Sequence, residues 1–288
     1  MIAIFKRELN AYFKGIMGYL SAAFLLIFAG IYTMAYNLSG FYSNFEYVLS
    51  SVSFIYLIAV PVLTMRSVAE EKRSRTDQLL YSLPISMTDV IVGKYLAMLF
   101  VLLVPVLIMG AYPLILSSFG AVSFKSAYSA LLAYFLLGAC LLSIGIFVSL
   151  VTESQVASAV ITLVAMLILY FISSLASFVS TTAFASFIAL CVLGVVACLV
   201  FWVLTRNLPL SFAALVALIG GLYLFYTMDS YSFAGLFPKM MESLSVFERF
   251  NVFVDGVFDV TAIVYYLSII AVFLFMSVQA MEKRRWSE

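Results

Sequence analysis

The sequence contains no histidine. That removes His-based acid–base chemistry, imidazole metal sites and Ser–His or Cys–His nucleophilic pairs. Charge is nearly as scarce: 10% of the 288 residues are Asp, Glu, Lys or Arg, against about 25% in a soluble domain. With a net charge of +1 there is no basic field for nucleic acid. The three cysteines, Cys140, Cys191 and Cys198, lie inside long apolar runs without a C-x-x-C spacing, so they read as small buried hydrophobes. A phosphate-binding loop is missing too. At Gly93–Lys94, the nearest candidate, the positions that need Gly and Ser or Thr hold Thr88 and Tyr95. The chain is not an ATPase by itself, and no catalytic, cofactor or metal residue is expected in it.

What is abundant is apolar sequence. Hydrophobic residues make up 65% of the chain, and the mean hydropathy is +1.17. About 20 apolar residues cross a bilayer core as a helix, and eight stretches qualify: 16–36, 47–65, 90–116, 126–151, 155–178, 184–204, 208–228 and 260–280. The sequence therefore predicts an all-α polytopic membrane protein of about eight transmembrane helices, forming a single transmembrane domain over 1–288. Only Thr205–Arg206–Asn207 separates the sixth span from the seventh. The first apolar run is too long for a signal peptide, and Glu8 sits in its leader, so it reads as a retained span.

Loop cations set the orientation. With the N-terminus inside, twelve Lys and Arg fall in inner segments and three outside (Lys125, Lys239 and Arg249), which places both termini in the cytoplasm. No ionisable carboxylate or amine falls near a span centre. That disfavours a proton-coupled carrier or an intramembrane enzyme and leaves sodium coupling through backbone carbonyls open.

Three segments outside the spans carry pattern. Residues 1–14 predict an amphipathic interfacial helix with Ile2, Phe5, Leu9, Tyr12 and Phe13 toward the membrane, ending near Gly15. The loop 66–94 holds two capping boxes, Ser74-x-x-Asp77 and Ser86-x-x-Asp89. The first opens a short helix over 76–83 with Leu79, Leu80 and Leu83 on one face and Pro84 after it; the second opens the third span. Three leucines on one face are costly in water, which favours a cover, either lipid headgroups or a groove on a partner protein, over a solvated connector. The outer loop 229–259 is apolar and amphipathic around Met240, Met241, Leu244 and Phe247; it reads equally as interfacial packing or as a lid. Phe5, Lys6 and Arg7 at one end of the chain, and Lys283, Arg284, Arg285 and Trp286 at the other, are interfacial anchors. Small residues at Ala139, Ser143, Gly145 and Ser149, and at Ser158, Thr162, Ala165 and Ser173, permit close helix packing, within the chain or between copies. Pro61, Pro105 and Pro113 mark kinks or hinges in the second and third spans.

The run from Ala69 through Glu70, Glu71, Lys72, Arg73, Arg75, Thr76, Asp77, Gln78, Leu79, Leu80, Leu83 and Pro84, followed by Asp89-Val-Ile-Val-Gly-Lys94, resembles the cytoplasmic signature of type-two ABC exporter permeases. Phe5–Lys6–Arg7–Glu8 before the first span fits the same pattern. Phe250-x-x-Phe253-x-x-Gly256-Val-x-Asp259, Tyr265–Tyr266–Leu267–Ser268 and the closing basic run with Trp286 are similar to the gliding-motility type of permease. The departure is the span count, because that family's core usually has six; 184–204 and 208–228 are the extra pair. The resemblance implies a division of labour. Two permease subunits, identical or homologous, form the path. Two cytoplasmic ABC ATPase subunits bind ATP and Mg. Glu70, Glu71, Lys72, Arg73, Arg75, Thr76, Asp77, Gln78, Leu79, Leu80, Leu83 and Pro84 would couple to the ATPase, with Thr152, Glu153 and Ser154 as a second contact. It also implies a bacterial cytoplasmic membrane. The apolar, aromatic-rich path without fixed charge suits a hydrophobic or amphipathic cargo, and the composition leaves no nucleic-acid partner. An ion-coupled carrier and a non-transporting membrane scaffold stand as alternatives.

Overall fold

The computed structural model describes residues 1–73, 86–205, 208–228, 231 and 233–287. The described residues are helical or in turns, with no strand among them. Six helical stretches are long and apolar enough to cross a membrane: Ile16–Ser39, Glu46–Lys72, Met87–Leu116, Phe124–Val151, Gln155–Phe178 and Val260–Lys283. The chain is an all-α polytopic membrane protein. The extra pair expected at 184–204 and 208–228 consists of two further helices, Ala183–Thr205 and Leu208–Met228, whose apolar parts run over Ala183–Val196 and Phe212–Met228.

Two compact units divide the chain. The first comprises 1–169 and 246–288, the second 170–245. The first begins with α1 (Ile2–Lys14), which stops at Gly15, where the backbone turns extended, and α2 (Ile16–Tyr32) starts one residue later. α2 runs on as a π-helical turn through Thr33–Ser39. The second crossing is built from α3 (Glu46–Val52), α4 (Tyr56–Thr64) and α5 (Ala69–Arg73). The third is α6 (Met87–Met109), followed by the short α7 (Tyr112–Leu116). Ser86 caps α6 as its sequence predicts, its hydroxyl accepting from the Asp89 N–H at 3.2 Å. Pro105 lies inside α6 and Pro61 inside α4.

The centre of this unit is α8 (Phe124–Val151), against which α3, α4, α6, α13 (Val246–Val254) and α14 (Val260–Ser287) pack. The small residues of α8 face inward and serve contacts within the chain. A Cβ on Gly138 would lie 2.6 Å from Leu102 of α6 and 2.8 Å from the Tyr56 ring of α4. One on Gly145 would lie 2.6 Å from Thr64. Hydrocarbon offers no hydrogen-bond partner, so buried phenols turn to backbone carbonyls: Tyr56 to Tyr134 at 3.1 Å, Tyr95 to Ala139 at 3.0 Å and Tyr266 to Val246 at 2.9 Å. The Tyr56 and Tyr134 rings stack with centroids 4.5 Å apart, and Phe250 meets Tyr134 edge-on at 6.0 Å, which carries α13 into the bundle. α9 (Gln155–Phe178) follows α8 after a short turn.

In the second unit α10 (Ala183–Thr205) and α11 (Leu208–Met228) pack side by side. Phe187, Phe225 and Tyr226 close around Phe233, which is fully buried. α12 (Leu236–Ser243) lies on α10. The predicted amphipathic segment around Met240–Phe247 is thus two helices, α12 and α13. They break at Leu244–Ser245, where the first unit resumes.

Candidate functional site

The ionic side chains gather at the end of the first unit where α1, α5, α6 and the α8–α9 turn meet. α1 presents three sides. Ile4 and Tyr12 pack inward, Ile4 over Gly93 of α6. Ile2, Phe5, Leu9 and Phe13 form the adjacent apolar side, with Ile2 67% exposed. Arg7 and Glu8 border the inward side. The sequence pattern places Tyr12 with Ile2, Phe5, Leu9 and Phe13 toward the membrane; the structure instead buries Tyr12 with Ile4 on the inward side, where its hydroxyl finds the Leu63 carbonyl.

Four residues from three helices close a ring of alternating charge. Arg7 donates to Glu8 at 2.6 Å and to Glu71 at 2.7 Å. Lys94 reaches the same two Oε1 atoms, Glu8 at 3.1 Å and Glu71 at 2.9 Å. The third ammonium proton of Lys94 goes to the Ser67 carbonyl at 2.7 Å. Lys94 is 1% exposed, Glu8 12% and Glu71 17%. A buried ammonium is tolerated only where all three donors are matched, and here each has an acceptor. Burial pulls the Arg7 guanidinium down, but its hydrogen bond and charge contact with Glu8, then Glu71, outweigh that and leave it raised.

A second set of bonds fastens α5 to the end of α8. Lys72, 8% exposed, donates to the carbonyls of Leu150 and of Thr152, the latter at 3.3 Å. These are the unpaired carbonyls at a helix C-terminus, where a cation is favoured both by hydrogen bonding and by the helix dipole. Ser149 Oγ accepts the N–H groups of Val68 at 3.3 Å and Ala69 at 3.1 Å. Tyr12 donates to the Leu63 carbonyl at 2.9 Å, and burial first, then Glu8, pushes its phenol far up. Beside this platform opens a crevice of about 530 Å³ lined by Arg7, Glu8, Tyr12, Arg66, Glu70 and Glu71.

Lys72→Met, which keeps the stem and removes the donors, is expected to cost about 2–3 kcal/mol, the worth of charge-assisted bonds to otherwise orphaned carbonyls. A thermal melt of the detergent-purified chain reads it. A shift no larger than that of an exposed-lysine control such as Lys283→Met overturns the capping role.

The predicted site residues fall into three groups. Glu70, Glu71, Lys72 and Arg73 form α5. Glu70 pairs with Arg66 at 2.7 Å on the exposed side, while Glu71 and Lys72 face the bundle. Thr152, Glu153 and Ser154 form the α8–α9 turn, Thr152 closing α8 through its bond to Val148 at 3.0 Å, with Glu153 and Ser154 exposed. Lys72 thus joins the two predicted contact regions. Arg75, Thr76, Asp77, Gln78, Leu79, Leu80, Leu83 and Pro84, with the predicted helix 76–83 and the Ser74 capping box, lie outside the described residues. Of the anchors, Phe5 meets Phe100 edge-on at 6.3 Å, and Lys6, Lys283 and Arg285 are exposed. Arg284 and Trp286 continue α14, their side chains outside the described set. Sequence reading missed Lys94 and Ser149 as structural partners. By sequence Lys94 reads as one more cation at the end of the 66–94 loop; the signal that marks it is its place inside an apolar helix, two turns after the Ser86 cap.

Among the described residues no group of His, Cys, Asp or Glu is arranged to hold a metal ion. Six apolar helical stretches long enough to cross a bilayer, four of them packed together through α8, define a polytopic membrane protein. The sequence profile of the ABC-2 family of transporter proteins matches residues 30–192, more than half of the chain, and the chain belongs to that family. No curated protein matches it. Membership makes the chain a membrane permease component of an ABC transporter. Family components of this kind are not themselves catalytic and associate with an ABC ATPase.

Proposed function

We propose that this chain is the permease subunit of an ATP-driven exporter, of the gliding-motility type. Two permease subunits, identical or homologous, assemble with two cytoplasmic ATPase subunits that bind ATP and Mg. Both termini, α5 and the α8–α9 turn face the cytoplasm of a bacterial inner or plasma membrane. The observation that supports this reading best is the platform. α5, which leads into the leucine-bearing segment 74–85, is fastened to α1, α6 and the end of α8, as a coupling element must be if an ATPase is to move the spans through it. Leu79, Leu80 and Leu83 dock in a groove of the ATPase, with Thr76, Asp77, Gln78 and Pro84 shaping the contact. Arg66 and Glu70 on the exposed side, with Arg73 and Arg75, form a charged rim that sets register more than affinity. Glu153 and Ser154 supply the smaller second contact. The apolar, aromatic interior suits a hydrophobic or amphipathic cargo.

The test is a detergent pull-down with an ATPase assay on wild type and Leu79→Glu/Leu80→Glu. A co-purifying ATPase whose activity rises with wild type, and binding reduced at least tenfold by the double variant, is the expected result. An ATPase that binds both equally overturns the docking segment; none with wild type overturns the exporter reading.

A further inference from the structure

At the end of the bundle opposite the charge ring, two buried oxygens accept nothing. Glu46, the first residue of α3, is 3% exposed, and Asn37, in the π-helical turn that ends α2, is 8% exposed. Glu46 Oε2 and Asn37 Oδ1 find no hydrogen-bond donor among the described residues. Glu46 also enters none of the ion pairs of the described residues. The Asn37 amide is not free to turn over, because its Nδ2 donates to the Tyr42 carbonyl at 2.6 Å. A buried carboxylate is tolerated only where its charge is balanced, and within a membrane crossing such groups mark ion or substrate sites.

Helix register sets the two residues level with each other. The first two crossings run antiparallel through the loop 40–45. Below α3, Phe54 meets Phe28 and Tyr32 of α2 edge-on, with centroids 6.2 and 6.5 Å apart. Eight residues back from Phe54 is Glu46, about 12 Å higher at 1.5 Å per residue. The same climb along α2 from Phe28 and Tyr32 reaches residues 36–40. Asn37 lies there on the buried stripe of α2, above Leu25, Ala29 and Thr33. Both acceptors are therefore buried in one layer, where α3 packs on α2.

We propose that Glu46 and Asn37 ligate a bound monovalent metal cation, of which sodium is the probe. Carboxylate and amide oxygens are hard donors. One carboxylate balances one charge, whereas calcium sites gather six to eight oxygens, usually from several acids. The surroundings suit a cation as well. α2 ends here, so the negative end of its dipole lies at the site, and residues 41–44 form unwound backbone beside it. The ion ties the end of α2 to the start of α3. This rests on the membrane-spanning fold and is independent of the exporter reading.

The test is a thermal melt of the full chain in detergent, in sodium chloride and in N-methylglucamine chloride of equal ionic strength. An ion at ten times its dissociation constant raises the folding equilibrium about elevenfold. That moves the midpoint of a unit of this size up by about 3–6 °C. Sodium is expected to give this rise in wild type and in Asp255→Asn, an exposed-carboxylate control, and none in Glu46→Gln or Glu46→Ala. Gln keeps the shape of Glu46, removes its charge and brings an N–H for Asn37, so Glu46→Gln in N-methylglucamine should melt at or above wild type. Equal melts of wild type in the two salts mean that water or a proton closes the site, and overturn the proposal. An equal sodium rise in wild type and both Glu46 variants is a bulk salt effect and overturns it too. A rise with calcium chloride but not with sodium overturns the monovalent assignment.

Discussion

Lys94→Met is expected to lower the apparent melting temperature of the purified chain by about 6–20 °C. The substitution leaves Glu8 and Glu71 facing each other at the bundle surface with only Arg7 between them. Removing one partner of a buried ion pair costs about 3–5 kcal/mol, because the remaining charge has lost its solvation and its counter-ion. In a unit of this size each kcal/mol moves the midpoint by about 2–4 °C. The penalty belongs to the stranded carboxylates more than to the lost attraction. Lys94→Met combined with Glu71→Gln should therefore melt higher than Lys94→Met alone, even though it removes more charge. Arg66→Ala serves as the contrast: its bond to Glu70 is as short, but the partners are 39% and 44% exposed, and such pairs contribute about 1 kcal/mol or less. If Lys94→Met and Arg66→Ala melt within a degree of each other, the ring does not hold α1 to the bundle.

The other large effect is expected at Gly138. A Cβ there would meet the end of Leu102 at 2.6 Å and the Tyr56 ring at 2.8 Å, and of the two it is Tyr56 that cannot retreat. Tyr56 is stacked on Tyr134 at 4.5 Å and bonded to the Tyr134 carbonyl. Gly138→Val should cost about 3 kcal/mol or more, through overpacking that pushes α4 and α6 off α8. Helix propensity opposes this by only a few tenths of a kcal/mol. Gly221 is also helical, but a Cβ there meets nothing within 4 Å, so Gly221→Ala should leave the melt unchanged or raise it slightly. Monodisperse elution and an unshifted melt for Gly138→Val would falsify the close approach of the three helices.

Much of this architecture is legible in the sequence because a bilayer leaves few options. Apolar runs of sufficient length must be helices, so the expected crossings coincide with helices to within a few residues. The Ser86 cap and the break at Gly15 are local and were readable for the same reason. That the small residues of α8 meet α4 and α6 within the chain was not readable, because close packing serves a fold and a dimer alike. The ionic platform was hidden for a different reason. Lys94 finds its partners 86 and 23 residues away in sequence, and nothing local distinguishes a lysine that folds back beneath a helix from one that reaches water. Lys72 reads as one of several loop cations until the end of α8 is brought beside it. Residues 74–85 lie outside the described residues, so the proposed docking through Leu79, Leu80 and Leu83 rests on their amphipathic spacing and on the family resemblance.

The bonds of residues 68–72 have a mechanical consequence. A rod held at one point can swivel, and one held at two can still roll about the line between them. Here the N–H groups of Val68 and Ala69, the carboxylate of Glu71 and the ammonium of Lys72 are gripped from different directions by Ser149, the charge ring and the last carbonyls of α8. That is a three-point mount, which leaves no axis of free rotation. A torque applied beyond Arg73 cannot be absorbed by α5 turning in place. It must carry α1, α6 and α8 with it as one piece, or break several hydrogen bonds at once.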